Sequence, residues 1–388
     1  MRALCWNGVN DLAVETVDDP TILNPHDVIL KIGLTVTCGS DLHFIDGYLP
    51  GMRPGDVFGH EFMGEVVEVG REVTRTKVGD RVTVPSFISC GQCWYCHHDM
   101  PSLCDTTNPN AALQQPALGY PSGGIYGYTH LFGGYQGSHA EYLRVPFADV
   151  NCFTVPDGVT DVQGLFVSDA LATGYTGAVF CDVQQGDTVA VFGAGGVGLM
   201  AAASARALGA GRTIVVDRLP ERLDLARAQG SEVLDYSSID SVQEALREMT
   251  GGRGPDSVIE AVGMEGHGTG VQQVVDKAKQ AVRASTDRAT ALREALLACR
   301  KGGTVSVLGV YGLTDSFPMG VVTNKGLTIR SAQQFGQAYV PRMFEHIQRG
   351  EIDPTPLATH TMPLEDSVEG YRIFKEKEDG CIRSVFRP

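Results

Sequence analysis

Residues 187–217, DTVAVFGAGGVGLMAAASARALGAGRTIVVD, limit the fold of this chain more than any other stretch. They read as an apolar strand, a glycine-rich turn, an alanine-rich helix and a second apolar strand ending on Asp217. Such a strand-helix-strand unit predicts a parallel sheet covered by helices. The runs SVIEAVG, GTVSVLGVYG and LTIRSAQ continue the same alternation, which makes this part of the chain a doubly wound α/β domain. Within the unit, Gly193, Gly195 and Gly198 form G-x-G-x-x-G between strand and helix, together with Gly196 and Val197. That pattern lets the backbone turn tightly, approach a pyrophosphate and point helix N-terminal amides at it. Asp217 closes the next strand, where a carboxylate would take the hydroxyls of an adenosine ribose and repel a 2′-phosphate, so NAD is expected over NADP. Arg218 and Arg222 follow closely and could soften that preference.

The first 155 or so residues have a different texture: short β-type runs such as DVILKIGLTV, GEVVEVG and DRVTVPSF separated by Gly, Pro and Asp, as in a folded-over antiparallel sheet or barrel. With 388 residues and 43% apolar content, two domains are expected. The C-terminal segment offers two amphipathic helices, around VPRMFEHIQRG and EDSVEGYRIFKEKEDG, before a strand-like CIRSVFRP. Charged and apolar residues between Met264 and Cys299 suggest one or two surface helices, and Thr106–Gly137 reads as a long loop. A net charge of −15 argues against nucleic acid or an anionic membrane surface as partner. The N-terminus has no signal-peptide pattern and no segment has membrane-span length, so a cytoplasmic protein with reduced thiols is expected.

CGQCWYCHHDMPSLC places Cys90, Cys93, Cys96 and Cys104 where four thiolates can close a tetrahedral shell around a structural zinc. An iron-sulfur cluster uses similar spacing, and His97 and His98 read as exposed polar filler. A second set is dispersed: Cys38 in TCGSDLH, and His60 with Glu61 in GHEFMGEV. Asp169, in GLFVSDALATGYTGA, sits in an apolar run where burying a carboxylate is costly unless something compensates it. It could also cap the helix that follows.

These segments together, with VGDRV, TGYTGA, GAGGVG and IRSV, resemble the zinc-dependent medium-chain dehydrogenase/reductase family, the alcohol dehydrogenases. SDALATGYTGA and VPFADVNCFTVPDG resemble its glutathione-independent formaldehyde dehydrogenase and formaldehyde dismutase branch. The resemblance implies a GroES-like catalytic domain over 1–168, an NAD-binding Rossmann domain over 169–333 with an insertion near 264–299, and a return to the catalytic domain over 334–388. It implies two zinc ions per chain. One is the structural ion of the four cysteines; the other is a catalytic ion held by Cys38, His60 and Asp169, with Asp169 where typical members carry cysteine.

Glu61 would approach that ion or pair with the cofactor-binding arginine. Ser40 would pass the proton of a zinc-held alkoxide through the cofactor ribose to His43 near solvent. Thr173, Val262, Gly263, Gly309, Val310 and Tyr311 would line the NAD, and Arg383 would contact its pyrophosphate. Ser86, Phe87, Tyr126 and Phe132 are candidate pocket walls. The implied activity is oxidation or reduction of an alcohol or aldehyde, the alternative being an aldehyde dismutase with tightly bound NAD. A homo-oligomer, dimer or tetramer, is implied.

Overall fold

The computed structural model describes residues 1–265, 289–311 and 317–388. They divide into one unit of Met1–Ala172 with Gln334–Pro388 and a second of Thr173–Gln333.

The second unit is built on six parallel strands in the order Glu232–Asp235, Arg212–Asp217, Thr188–Phe192, Ser257–Glu260, Thr304–Val307, Thr328–Ser331. Thr188–Phe192 and Arg212–Asp217 are joined by the helix Gly196–Ala207, as the alternation of apolar runs predicts. Both faces are covered: Ala190, Ile214, Val258, Val305 and their neighbours form one core with Leu246, Leu292 and Leu296 of the helices Val242–Met249 and Thr290–Ala298. The strand order reverses between Thr188–Phe192 and Ser257–Glu260, the place where open α/β sheets leave a crevice beyond the strand ends. Of the surface helices expected between Met264 and Cys299, Thr290–Ala298 is present, while 266–288 lies outside the described residues.

The first unit carries a seven-stranded sheet in the order His360–Pro363, Ser384–Arg387, Val28–Val36, Glu61–Val69, Arg81–Val84, Phe153–Thr154, with Tyr142–Val145 also pairing Val28–Val36. All its pairings are antiparallel except His360–Pro363 with Ser384–Arg387. A three-stranded sheet, Asp11–Thr16, Arg2–Gly8 and Asp56–Val57, accompanies it. The two C-terminal helices form as Gly336–Gln348 and Ser367–Glu376. Thr106–Gly137 departs from expectation: it contains a helix, Ala111–Leu118, and a single helical turn, His130–Phe132. Its proline and glutamines hide any apolar stripe, and its order comes from side-chain bonds instead. Asn108 donates to Gln114 at 3.1 Å and to the Leu131 carbonyl at 2.9 Å. Among the described residues no helix is long and apolar enough to cross a membrane.

Candidate active site and metal centres

In the second unit the glycines make the tight turn that their spacing predicts. Gly193 has φ +93°, outside the range most side chains tolerate, and a Cβ on Gly198 would stand 1.8 Å from the Gly193 carbonyl oxygen. Helix and turn therefore touch through bare backbone. Gly195 differs: a Cβ there would find nothing nearer than Arg222 Nη1 at 3.8 Å, so the middle glycine faces open space that a ligand can enter.

Asp217 is buried at the end of its strand, where Oδ2 accepts the Ala194 amide at 2.7 Å and Oδ1 those of Arg218 and Leu219 at 2.7 and 3.1 Å. A carboxylate accepts about four hydrogen bonds, so these three leave room for a ribose hydroxyl. The segments around Val262–Gly263 and Gly309–Tyr311 meet, the Met264 amide donating to Val310 O at 3.0 Å. Glu260, which gave no signal in the sequence, organises them: its buried Oε1 accepts the Val262 and Gly263 amides at 2.8 and 2.9 Å. Thr173 lies half-buried on the helix Ala170–Phe180.

In the first unit the four cysteine sulfurs lie within 4.8 Å of one another. Cys93 and Cys96 Sγ are 3.5 Å apart, far beyond a disulfide, all four cysteines are free thiols, and the amides of Gln92 and Cys93 both point at Cys90 Sγ at 3.3 Å. His98 turns away to stack on Trp94 at 3.9 Å, and both loop histidines are exposed.

The dispersed set converges too. Cys38, His60, Glu61 and Asp169 offer donor atoms within 4.8 Å of one another, from three separate segments. His60 Nε2 stands 3.3 Å from Asp169 Oδ2, while Nδ1 faces Asp41 Oδ1 at 3.3 Å, off the line of a hydrogen bond. Asp169 is held in place by its neighbour. Ser168 Oγ accepts the amide of Phe62 at 3.1 Å and donates to Leu165 O at 2.5 Å, and its carbonyl accepts the Ser86 amide at 3.2 Å. Ser168 thus ties the end of the helix Asp161–Val167 to the strand that begins with Glu61.

Both Glu61 oxygens are buried and lack a hydrogen-bond partner, although Arg383 Nη2 is 3.4 Å away. Burial pushes the Glu61 carboxyl up to about 7, with Arg383 offsetting only part of the cost. A soft thiolate, an imidazole and a carboxylate, with a further carboxylate beside them that Arg383 compensates only in part, make a donor set that fits a divalent cation such as zinc.

Ser40 Oγ lies 3.3 Å from Cys38 Sγ and 3.4 Å from His60 Nε2. His43 departs from expectation: it is only 6% exposed, packed in the short helix Asp41–Ile45 rather than near solvent. Arg383, expected to contact the cofactor pyrophosphate, is 3% exposed; it pairs with Glu61 and donates to the Thr37 carbonyl. Tyr126 does not line a pocket but fills the core edge-on against Phe62 at 5.2 Å, whereas Tyr128, which sequence reasoning missed, sets its ring edge-on to His60 at 5.7 Å. Ser86 and Phe87 are buried, and Phe132 packs against Tyr128 at 5.3 Å.

Also missed were Asp41, Tyr371 and His139, which extend from His60 as a buried polar chain. Burial holds the His139 imidazole down to about 4, the Asp41 charge pulling the other way. The unfolded chain takes up that proton below about 6.5, so stability present above this pH is lost as pH falls toward 4, by roughly 3 kcal/mol in all. Urea midpoints measured across this range should fall less steeply in His139→Gln than in the wild type; equal slopes would place the titration elsewhere.

Residues 24–157 match the family model described as alcohol dehydrogenase GroES-like domain, and residues 196–285 the one described as zinc-binding dehydrogenase. A zinc-type alcohol dehydrogenase-like protein of Bacillus subtilis is 39% identical over 392 residues, covering 100% of both chains. A glutathione-independent formaldehyde dehydrogenase of Pseudomonas aeruginosa is 36% identical over 340 residues, 85% of this chain and 80% of its own. Among solved structures, alcohol dehydrogenase TADH from Thermus sp. ATN1 superposes with a TM-score of 0.85 at 34% identity, covering 100% of this chain and 99% of that one.

Proposed function

Because the chain belongs to the zinc-dependent medium-chain alcohol dehydrogenase family, a GroES-like domain joined to a Rossmann-type domain, we propose that it moves a hydride between an alcohol or aldehyde and NAD(H). The observation that carries this reading is the meeting of Cys38, His60 and Asp169 donor atoms within 4.8 Å. These three would hold the catalytic zinc, leaving one position open, and Cys90, Cys93, Cys96 and Cys104 would hold a second, closed one. The catalytic ion supplies Lewis acidity toward a substrate oxygen.

The chain's own groups do the rest. Ser40 Oγ, beside two of the ligands, takes the alcohol proton as its own passes on toward His43, three residues further along in the helix Asp41–Ile45. Tyr128, Phe132 and Phe87 exclude water from the reacting end. Gly195 admits the dinucleotide pyrophosphate, and the free capacity of Asp217 takes a ribose hydroxyl. The named activity of the Pseudomonas aeruginosa relative supports small aldehydes and their alcohols as the substrate class.

The test is a screen of alcohols and aldehydes of graded length with NAD or NADH, following absorbance of the reduced nicotinamide. Steady NADH formation from an alcohol with freely exchanging cofactor supports dehydrogenation. Conversion of aldehyde to acid and alcohol without net NADH would point to a dismutase, and no turnover of any member would reject both.

Cofactor choice gives a second test. Asp217→Gly removes both the ribose acceptor and the repulsion of a 2′-phosphate. Its kcat/KM with NAD should drop about tenfold or more while NADP loses less, so the ratio narrows. An unchanged ratio would move the determinant to Arg218 or Arg222.

A further inference from the structure

We propose that Tyr371 and His139 are positioning residues that fix the ring of His60 for the metal through Asp41, an inference that rests on the reading of Cys38, His60 and Asp169 as a zinc site. The argument is one of proton counting. Asp41 Oδ2 accepts the Tyr371 hydroxyl at 2.6 Å and the Cys38 amide at 2.9 Å. Tyr371 has one proton and it is spent on Asp41. Its oxygen, 2.7 Å from His139 Nε2, must then accept from that ring, which puts the His139 proton on Nε2.

Nδ1 of His139 is left bare and faces the Thr35 hydroxyl at 2.8 Å, whose one proton also reaches the Glu61 carbonyl at 3.1 Å, while Ser138 Oγ lies 2.8 Å from the Thr35 oxygen. Donation therefore runs from His139 through Tyr371 to Asp41.

At the near end, Asp41 Oδ1 and His60 Nδ1 are both buried, have no hydrogen-bond partner among the described residues and face each other at 3.3 Å, the nearest complementary group each has. With Oδ2 saturated by two donors, Oδ1 is reserved for the His60 Nδ1 proton. The Nε2 lone pair of His60 is thereby presented to the side where Asp169 and Ser40 lie.

The chain of groups is rigid. Thr35, Asp41, Ser138 and His139 are fully buried, and the His139 ring stands edge-on to Phe386 at 5.2 Å. Gly59, next to His60, has φ +98°, and a Cβ on it would come 2.5 Å from His139 Nδ1, so the backbone beside the ligand is shaped around that ring.

The test is chelator competition for the catalytic zinc on the full-length protein, with the four-cysteine zinc and thermal unfolding as folding controls. Tyr371→Phe leaves Asp41 Oδ2 and His139 Nε2 without their shared partner, and should loosen the catalytic zinc about 10- to 100-fold and shift the ligand-field spectrum of the cobalt-substituted site. His139→Gln, whose amide can still donate to Tyr371, should hold zinc like the wild type, and His139→Leu should not. Histidine-selective ¹⁵N NMR of the wild type, assigned with His139→Gln, should find His139 protonated on Nε2 alone; this decides the matter even if Tyr371→Phe does not fold. Wild-type zinc affinity and cobalt spectrum in Tyr371→Phe, or a proton on Nδ1 of His139, would overturn the positioning role alone. Wild-type protein carrying only the four-cysteine zinc would instead overturn the reading of the site.

Discussion

Asp169→Ala is expected to lower kcat by roughly a thousandfold or more, about 4 kcal/mol of transition-state stabilisation, and to cut zinc from two ions per chain to one. The size follows from what the carboxylate does. On the proposed assignment it is one of three ligands, and loss of one would leave Cys38 and His60 with too few donors to hold the ion against water. The fold should survive. The backbone at Asp169 is held by Ser168 through Phe62, Leu165 and Ser86, none of which needs the Asp169 side chain. The four-cysteine sulfurs are a separate cluster, so their zinc should stay. Metal analysis beside steady-state kinetics checks both halves. Two zincs in the variant would remove Asp169 from the ligand set, and near wild-type turnover would remove the metal from the chemistry.

Gly198→Ala should give the complementary phenotype, with cofactor binding weakened about 100-fold or more while both zincs remain. A Cβ at this position would lie 1.8 Å from the carbonyl oxygen of Gly193, which is backbone and cannot swing aside. The helix Gly196–Ala207 must back away from the turn, and its N-terminal amides, which would meet the pyrophosphate, move with it. Gly195→Ala adds a methyl where no atom lies within 3.7 Å, so it should leave the free protein as stable as wild type and weaken only the liganded state. Titration of NADH fluorescence with zinc analysis separates these cases. Unchanged affinity in Gly198→Ala would mean the turn does not carry the cofactor.

The two variants divide the molecule along the line where its sequence was most and least readable. The parallel sheet could be read because its signals are local: an apolar strand, three glycines and an alanine-rich helix lie within 31 consecutive residues, 187–217. The meeting of the four cysteine sulfurs was legible for the same reason, all four falling between Cys90 and Cys104. Cys38, His60 and Asp169 are far apart, and no periodicity says they meet; only a family resemblance suggested it. Their meeting depends on Ser168 stitching a helix end to a strand, a contact with no sequence signature.

The family resemblance sets His43 near solvent as the end of a proton route, yet the short helix that carries it is buried throughout. The link from Asp41 to Tyr371 and His139 joins positions 330 and 232 residues apart in its two steps, and was invisible for that reason. Thr106–Gly137 hid a helix because polar side-chain bonds, rather than an apolar stripe, hold it.

Anomalous diffraction at the zinc absorption edge, on crystals of the wild-type chain, tests the central claim most directly. Two peaks per chain are predicted, one enclosed by the sulfurs of Cys90, Cys93, Cys96 and Cys104, the other in contact with Cys38 Sγ, His60 Nε2 and an Asp169 oxygen. A single peak at the four cysteines, with Cys38, His60 and Asp169 bare in crystals grown with zinc, would contradict it.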